Sequence, residues 1–255
     1  MKVRDILAAV EEFAPLGVQE GWDNSGLLVG SPDDEVHGVT IGFDATAALM
    51  EDAHSSGCDL VIVHHPLIFG GLKKIDPADP AGEAIYAAIR YGIAVYATHT
   101  PADKVPGGVS WAMAGRLPLV NVRVLDDEGG VGLGVVGDLQ SPLGGEEAVA
   151  MVKEAFGLAA VRCSKPVAKV DRIALCGGSG SSLIGAAMRS GAQLFVTGDI
   201  TYHKFFTPKG FMLMDIGHFE SEKDIVGILF KVIRKNFPNF AVRTASSLEN
   251  PVHYM

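Results

Sequence analysis

The chain has 255 residues, of which 48% are hydrophobic and 20% charged, with a formal net charge of −9. Such a chain can fill a sizeable core as one large domain or two small ones, and it is too apolar for a disordered segment. The acidic balance argues against non-specific nucleic-acid or anionic-membrane binding, since both need a basic footprint.

The N-terminal stretch "MKVRDILAAVEEFAPLG" carries acids among its apolar residues and reads as an amphipathic helix, not a signal peptide. "VHGVTIGFD" reads as a strand, "ATAALMEDAHSSG" as a helix ending near Gly57, and "CDLVIVHH" as a second strand. "PAGEAIYAAIRYG" is a helix with Gly92 just past its end, the usual position of a C-terminal stop. "IAVYATHT" is a third strand and "GGVSWAMAGRLP" a short helix. Strands that are continuous apolar runs, alternating with helices, imply a mostly parallel sheet covered on both faces. Residues 126–170 read as strand, turn, helix (Glu146 to Phe156, opened by Gly144-Gly145) and strand, with no metal-ligand spacing.

The second half echoes the first. "VTIGFDATAALMEDAHSSGCDLVIVHH" from Val39 aligns without a gap on "IALCGGSGSSLIGAAMRSGAQLFVTGD" from Ile173. Ser56-Gly57 falls on Ser190-Gly191, and His64-His65 on Gly198-Asp199. After a shorter connection, "GIAVYATHTPADK" falls on "GFMLMDIGHFESE", placing Thr100 over His218 and Lys104 over Glu222. The expected fold is therefore α/β, with two similar βαβ-type lobes from an internal duplication. The first lobe covers 1–125, a connecting strand-helix-strand segment 126–170 and the second lobe 171–255, together one compact domain. A metal site is expected in the cleft between the lobes, because α/β ligands bind at the carboxyl ends of strands.

Chemistry-bearing residues gather at those ends. His64 and His65 close one apolar strand, and His99 and Asp103 follow the next. His218 and Glu222 follow "FMLMD" four residues apart, a spacing that puts both on one face of a helix. Adjacent residues of a strand point to opposite faces, so Pro66 is expected to enforce a turn that lets both imidazoles serve one site. His64, His65, Asp103, His218 and Glu222 form a nitrogen and oxygen donor set suited to Zn, Fe, Mn, Co or Ni. Five ligands exceed the needs of one open catalytic zinc. Two divalent ions about 3.5–4 Å apart, with Glu222 as the better bridging carboxylate, would use them all. Taken singly, His218 with Glu222 fits an exposed helix pair equally well, and Asp103 fits a turn. His99, Asp199 and His203 lie near strand ends without being needed as ligands, and are candidates for general acid/base work or for orienting ligands.

Weaker signals accompany these. "CGGSGSS" (Cys176 to Ser182) lacks the spacing of a phosphate-binding loop and reads first as a tight strand-to-helix turn. "GWDNSGLLVG" (Gly21 to Gly30) is a dense run of turn formers, with Trp22 read as core. His37, His54 and His253 read as surface or structural residues. Cys58, Cys163 and Cys176 are odd in number and have no CxxC spacing, which fits a reducing cytosol. No apolar run approaches the roughly 18 residues of a membrane span, so a cytoplasmic location is expected.

Together "GWDNSGLLVG", "VIVHHPLIF", "HTPAD", "GD…YH" and "DIGHFESE" resemble the NGG-interacting-factor-3-like family, whose members are labelled GTP cyclohydrolase 1 type 2 homologues. The resemblance implies two similar α/β lobes around a dinuclear metal site, a toroidal homohexamer, and the ligand role for His64, His65, Asp103, His218 and Glu222. Two departures stand out. Gly107-Gly108 leads into "VSWAM" where family members often show Asn-Asp, and Asp199 stands where many relatives have Glu. The function expected is that of a metal-dependent hydrolase of a small, nucleotide-like substrate. The rival is a non-catalytic metal storage, delivery or scaffold protein. Neither membrane nor nucleic acid is expected as a partner.

Overall fold

The structure is a computed structural model that describes every residue except 247 and 254. Helix α1 (Val3–Phe13) buries Val3, Ile6, Leu7, Ala9 and Val10, the spacing that the amphipathic pattern requires. Strands β1 (Gly26–Val29) and β2 (Gly38–Ile41) follow. Thr46 caps α2 (Ala47–Ser55) by accepting the Leu49 N–H at 3.1 Å. After β3 (Leu60–Val63), Asp79 caps α3 (Pro80–Tyr91), Pro80 opens it, and Gly92 ends it in the left-handed conformation at φ 66°. Then come β4 (Ala94–Ala97) and a single turn, α4 (Thr100–Lys104).

The chain continues through α5 (Val109–Gly115), β5 (Leu119–Asp127) and β6 (Gly132–Leu143). In α6 (Gly145–Phe156) the Glu147 carboxylate turns back to accept the Gly144 N–H at 2.7 Å, half of a capping box. Next are β7 (Arg162–Cys163), β8 (Val170–Leu175), α7 (Ile184–Arg189), β9 (Leu194–Thr197), β10 (Met212–Asp215) and α8 (His218–Glu222). Helix α9 (Asp224–Asn236) and strand β11 (Ala241–Thr244) complete the elements.

These elements form two sheets of similar size, with orders β1-β4-β3-β2-β11 and β5-β6-β8-β9-β10-β7. Two compact units contain them, one of Met1–Ala102 with Ile225–Met255 and one of Asp103–Asp224. The return of β11 to the first sheet, parallel to β2, has no local signature, because the edge it joins was laid down some 200 residues earlier. Segment 126–170 is integral to the second sheet, with β6 pairing on both sides. Parallel pairing is confined to β11-β2-β3-β4 and β8-β9-β10, and the remaining strands add antiparallel.

The duplication is visible in the register. Val39 pairs with Leu60 as Ile173 pairs with Leu194, and Leu60 with Ala94 as Leu194 with Met212. All four pairs keep the offsets of the sequence alignment. An edge strand, β1 or β7, adds antiparallel to the third parallel strand in both. The five-residue helices α4 and α8 also coincide, Thr100 on His218 and Lys104 on Glu222. Strands β2, β3, β4, β9 and β10 are buried throughout, as their continuous apolar runs require. In the second unit alternate residues serve opposite faces. Ile173, Leu175, Leu194 and Val196 pack in one cluster, Ala174 and Phe195 in another.

The returning β11 is fastened by Asp52 of α2. Its carboxylate accepts from the Arg243 guanidinium at 2.9 and 3.1 Å, and from the Ser246 N–H and hydroxyl at 2.9 and 2.8 Å. Burial alone would raise the Asp52 carboxyl, but these donors outweigh it and hold the group below the usual carboxylate range. A lowered folded-state pKa gives stability that is present above the unfolded value, about 3.9, and lost as pH falls through the folded value. Asp52→Asn is therefore expected to cost about 1–2 kcal/mol at pH 7, after allowing for partial solvent screening. Urea unfolding from pH 7 down to pH 3 should show that deficit shrinking below about pH 4.

Candidate metal centre

In the first unit, β3 delivers His64 and His65. The amides of both donate to one acceptor, the Phe43 carbonyl, at 3.1 and 3.2 Å. The chain bends at the histidines themselves, before Pro66. That bend answers the strand-alternation problem, and the two rings end with centroids 4.8 Å apart. His64 Nδ1 is 3.1 Å from the Thr98 carbonyl oxygen, and His65 Nδ1 is 2.7 Å from Asp44 Oδ1. His99, just past β4, sets Nδ1 2.9 Å from Asp23 Oδ1. One ligand nitrogen from each of His64, His65 and His99 lies within 4.8 Å of the others.

Asp23 is the hub of this half. Its side chain has no exposure, and it accepts from the His99 ring, the Ser25 hydroxyl, and both the N–H and the hydroxyl of Thr100. Burial pushes its carboxyl up, yet the bonds from His99, Thr100 and Ser25 prevail and hold it well below the usual range. Asp23 and Asp44 are the site residues that sequence reading missed. The dense turn chemistry of "GWDNSG" was the available signal, since a loop must fold closely over β4 to bring Asp23 to His99.

In the second unit, Gly217, at φ 91°, turns the chain from β10 into α8. His218 and Glu222 then lie on one face, with His218 Nε2 3.0 Å from Glu222 Oε2. His218 Nδ1 is 2.7 Å from Asp199 Oδ2. Asp199 sits at φ 52°, a conformation that aspartate tolerates better than most side chains. A carboxylate oxygen of Asp103 lies within 4.8 Å of one of Glu222, which is 3% exposed. The "CGGSGSS" turn packs its backbone against this pair. Gly178 N–H donates to Ser221 Oγ at 2.9 Å, and a Cβ on Gly178 would stand 2.2 Å from Glu222 Oε1. The buried Cys176 thiol is pushed up by burial first and then by the charges of Asp103 and Glu222, which keeps it protonated. His203 stands on an exposed single turn beside Tyr202 and Phe206.

All four site histidines, His64, His65, His99 and His218, share one arrangement. A carbonyl or carboxylate can only accept, so each Nδ1 carries a hydrogen. In neutral His64, His65 and His99 this leaves the lone pair on Nε2. His218 Nε2 also faces a carboxylate, Glu222 Oε2 at 3.0 Å, and shares a hydrogen with it. Metal-binding histidines are oriented in this way by a carboxylate or carbonyl on the second nitrogen. The 3.0 Å between His218 Nε2 and Glu222 Oε2 is a hydrogen-bond distance, and a cation in place of the shared proton would take both atoms as ligands. The residues fit a divalent cation with imidazole and carboxylate ligands.

A two-sheet α/β protein carrying histidine and glutamate groups that could hold a metal ion is the class that this geometry defines. The family profile Duf34/NIF3 (NGG1p interacting factor 3) matches residues 1–251, and the chain belongs to that family. It is 32% identical over 241 residues to the GTP cyclohydrolase 1 type 2 homolog of Clostridium perfringens, covering 92% of this chain and 91% of the relative. The Lactococcus lactis protein of the same name is 35% identical over 227 residues, 86% of each chain. A Staphylococcus aureus hypothetical protein of known structure superimposes with a TM-score of 0.91 at 27% identity, over 100% of this chain and 99% of that one. A Bacillus cereus protein related to NIF3 shares the fold at 22% identity and a TM-score of 0.87, covering 100% of this chain and 99% of its own. No helix among the described residues is long and apolar enough to cross a membrane.

Two substitutions test this arrangement. In Asp23→Asn, either amide orientation sets an NH2 against an existing N–H donor, from His99 and Asn24 at Oδ1 or from Thr100 at Oδ2. The expected results are a loss of about 1–3 kcal/mol in urea unfolding and a shift of the His99 ring 15N signals away from the Nδ1–H tautomer. Gly178→Ala should keep the far-UV circular dichroism spectrum while weakening Zn²⁺ or Mn²⁺ binding by about ten-fold in calorimetric titration, because its Cβ displaces the Glu222 carboxylate.

Proposed function

We propose that the protein is a divalent-metal-dependent hydrolase of a small, nucleotide-like substrate. The observation that supports this reading is the fastening of His64, His65 and His99 through Nδ1, which commits each Nε2 lone pair to ligand or base work, with His218 held between the Asp199 and Glu222 carboxylates. We assign His64, His65, Asp103, His218 and Glu222 as the residues that would hold divalent cations, two cations by the family resemblance. Zn, Fe, Mn, Co and Ni all suit such donors. When bound, the cations supply Lewis acidity that makes a water nucleophilic near neutral pH.

The remaining steps belong to the chain. His99 accepts the proton of the attacking water at Nε2, and the Asp23 carboxylate beside Nδ1 stabilises the imidazolium that results. Asp199 orients His218. His203 carries no part of this scheme, because its ring sits on the exposed Tyr202–Phe205 turn. The resemblance-based homohexamer and cytoplasmic location complete the proposal. The name of the curated relatives makes GTP the first substrate to assay.

His218→Ala and Glu222→Ala are expected to reduce the metal content of the purified protein at least ten-fold, and to abolish hydrolysis of GTP or another responsive nucleotide or phosphoester with it. Elemental analysis and a hydrolysis screen with each metal found provide the readouts. Full activity in a metal-free variant overturns the assignment. Labile, readily donated metal without turnover across the panel identifies a storage or delivery protein instead.

A further inference from the structure

Two large aromatic side chains flank His99 in the open. Trp22 is 57% exposed and Phe69 is 55% exposed. Their ring centroids are 5.8 Å apart, and each is 5.9 Å from the His99 ring, which both approach edge-on. Trp22 and Phe69 meet at 47°, so neither ring covers the face of the other. Sequence reading put Trp22 in the core, and the exposure corrects that.

The loops that hold these rings are fastened to each other. Asp23, next to Trp22, is tied to His99, Ser25 and Thr100. Asn24 gives its side-chain N–H to the Ile68 carbonyl at 2.6 Å, next to Phe69. Burying a tryptophan is strongly favoured, and exposed aromatic surface held in place by polar bonds marks a binding site. The neighbour here is an imidazole whose Nε2 carries the lone pair. A ring held against Trp22 and Phe69 would lie beside the group that handles the proton.

We propose that Trp22 and Phe69 are the specificity-determining residues for substrate, gripping a planar heteroaromatic ring of the nucleobase kind beside His99. This rests on the reading of the site as one that takes a small nucleotide-like molecule. Every base has a π-face, and aromatic stacking grips it without demanding a particular hydrogen-bond pattern. A sugar phosphate without a base has no such face. The two aromatic residues therefore separate ligands that carry a ring from those that do not.

The test titrates the protein, loaded with the metal it purifies with, with guanosine 5′-monophosphate and separately with ribose 5-phosphate, by calorimetry. Trp22→Ala and Phe69→Ala are expected to weaken guanosine monophosphate binding about ten-fold each. They should leave ribose 5-phosphate binding, metal content and the melting temperature unchanged, and Trp22→Phe should recover most of the affinity. Equal affinity of the wild type for both ligands overturns the proposal. So does an unchanged guanosine monophosphate affinity in Trp22→Ala, or a Trp22→Ala variant that changes only its sedimentation, which would assign the rings to contact with a second copy of the chain. The titration reads binding alone. Ring-dependent binding without turnover leaves this inference standing and removes the hydrolase reading.

Discussion

A neutral imidazole has one N–H and one lone pair, and fixing the first fixes the second. In this protein Nδ1 is held four times, by three different kinds of support, and in His218 the second nitrogen faces a carboxylate as well. A backbone carbonyl one strand away holds His64, loop carboxylates hold His65 and His99, and a carboxylate in the left-handed conformation holds His218. The bonds use local features of each unit, such as the Phe43 carbonyl that bends the chain under His64 and His65. The chemistry of the site depends on this constraint before it depends on any ligand, because a ring free to turn offers its lone pair in any direction.

The duplicated scaffold explains why the supports differ while the placement recurs. Each unit carries three parallel strands in the same register, an antiparallel edge strand and a five-residue helix after the third strand. On that frame the two copies have diverged. Where α8 bears His218 and Glu222, α4 bears Thr100 and Lys104. Thr100 donates to Asp23, and Lys104 forms an ion pair with Glu128 at 2.6 Å. Where β3 ends in two histidines, β9 ends in Gly198-Asp199. The fold thus tolerates either set, so the histidines are not a requirement of the fold.

Much of this was legible in the sequence, for identifiable reasons. Buried parallel strands must be continuous apolar runs, so β2, β3, β4, β9 and β10 stood out, and Gly92 marked the end of α3 through its left-handed conformation. Ligand-type residues at strand ends were visible because only a few residues follow each strand before the chain turns. Other features depended on partners distant in sequence. Asp23 reaches His99 across 76 positions, and β11 joins β2 after the whole second unit has been built. Trp22 read as core because a tryptophan in an apolar chain usually is. Its exposure follows from how the 19–25 loop is tied to His99 and Ile68, and no local pattern encodes that tie.

The Gly177-Gly178 turn shows how closely packing and chemistry are joined in the second unit. A side chain at Gly177 would strike Val109 Cγ1 at 2.3 Å, and one at Gly178 would strike the Glu222 carboxylate. Gly178 also takes φ 57°, which glycine adopts without penalty. The same turn gives its N–H to Ser221 Oγ, and that hydroxyl in turn donates to the His218 carbonyl at 2.7 Å. The turn therefore packs its backbone against α8 at Ser221 and Glu222. Glycine is needed here for closeness, to keep the Glu222 carboxylate where it lies, and the tight strand-to-helix turn read from "CGGSGSS" packs directly against that carboxylate.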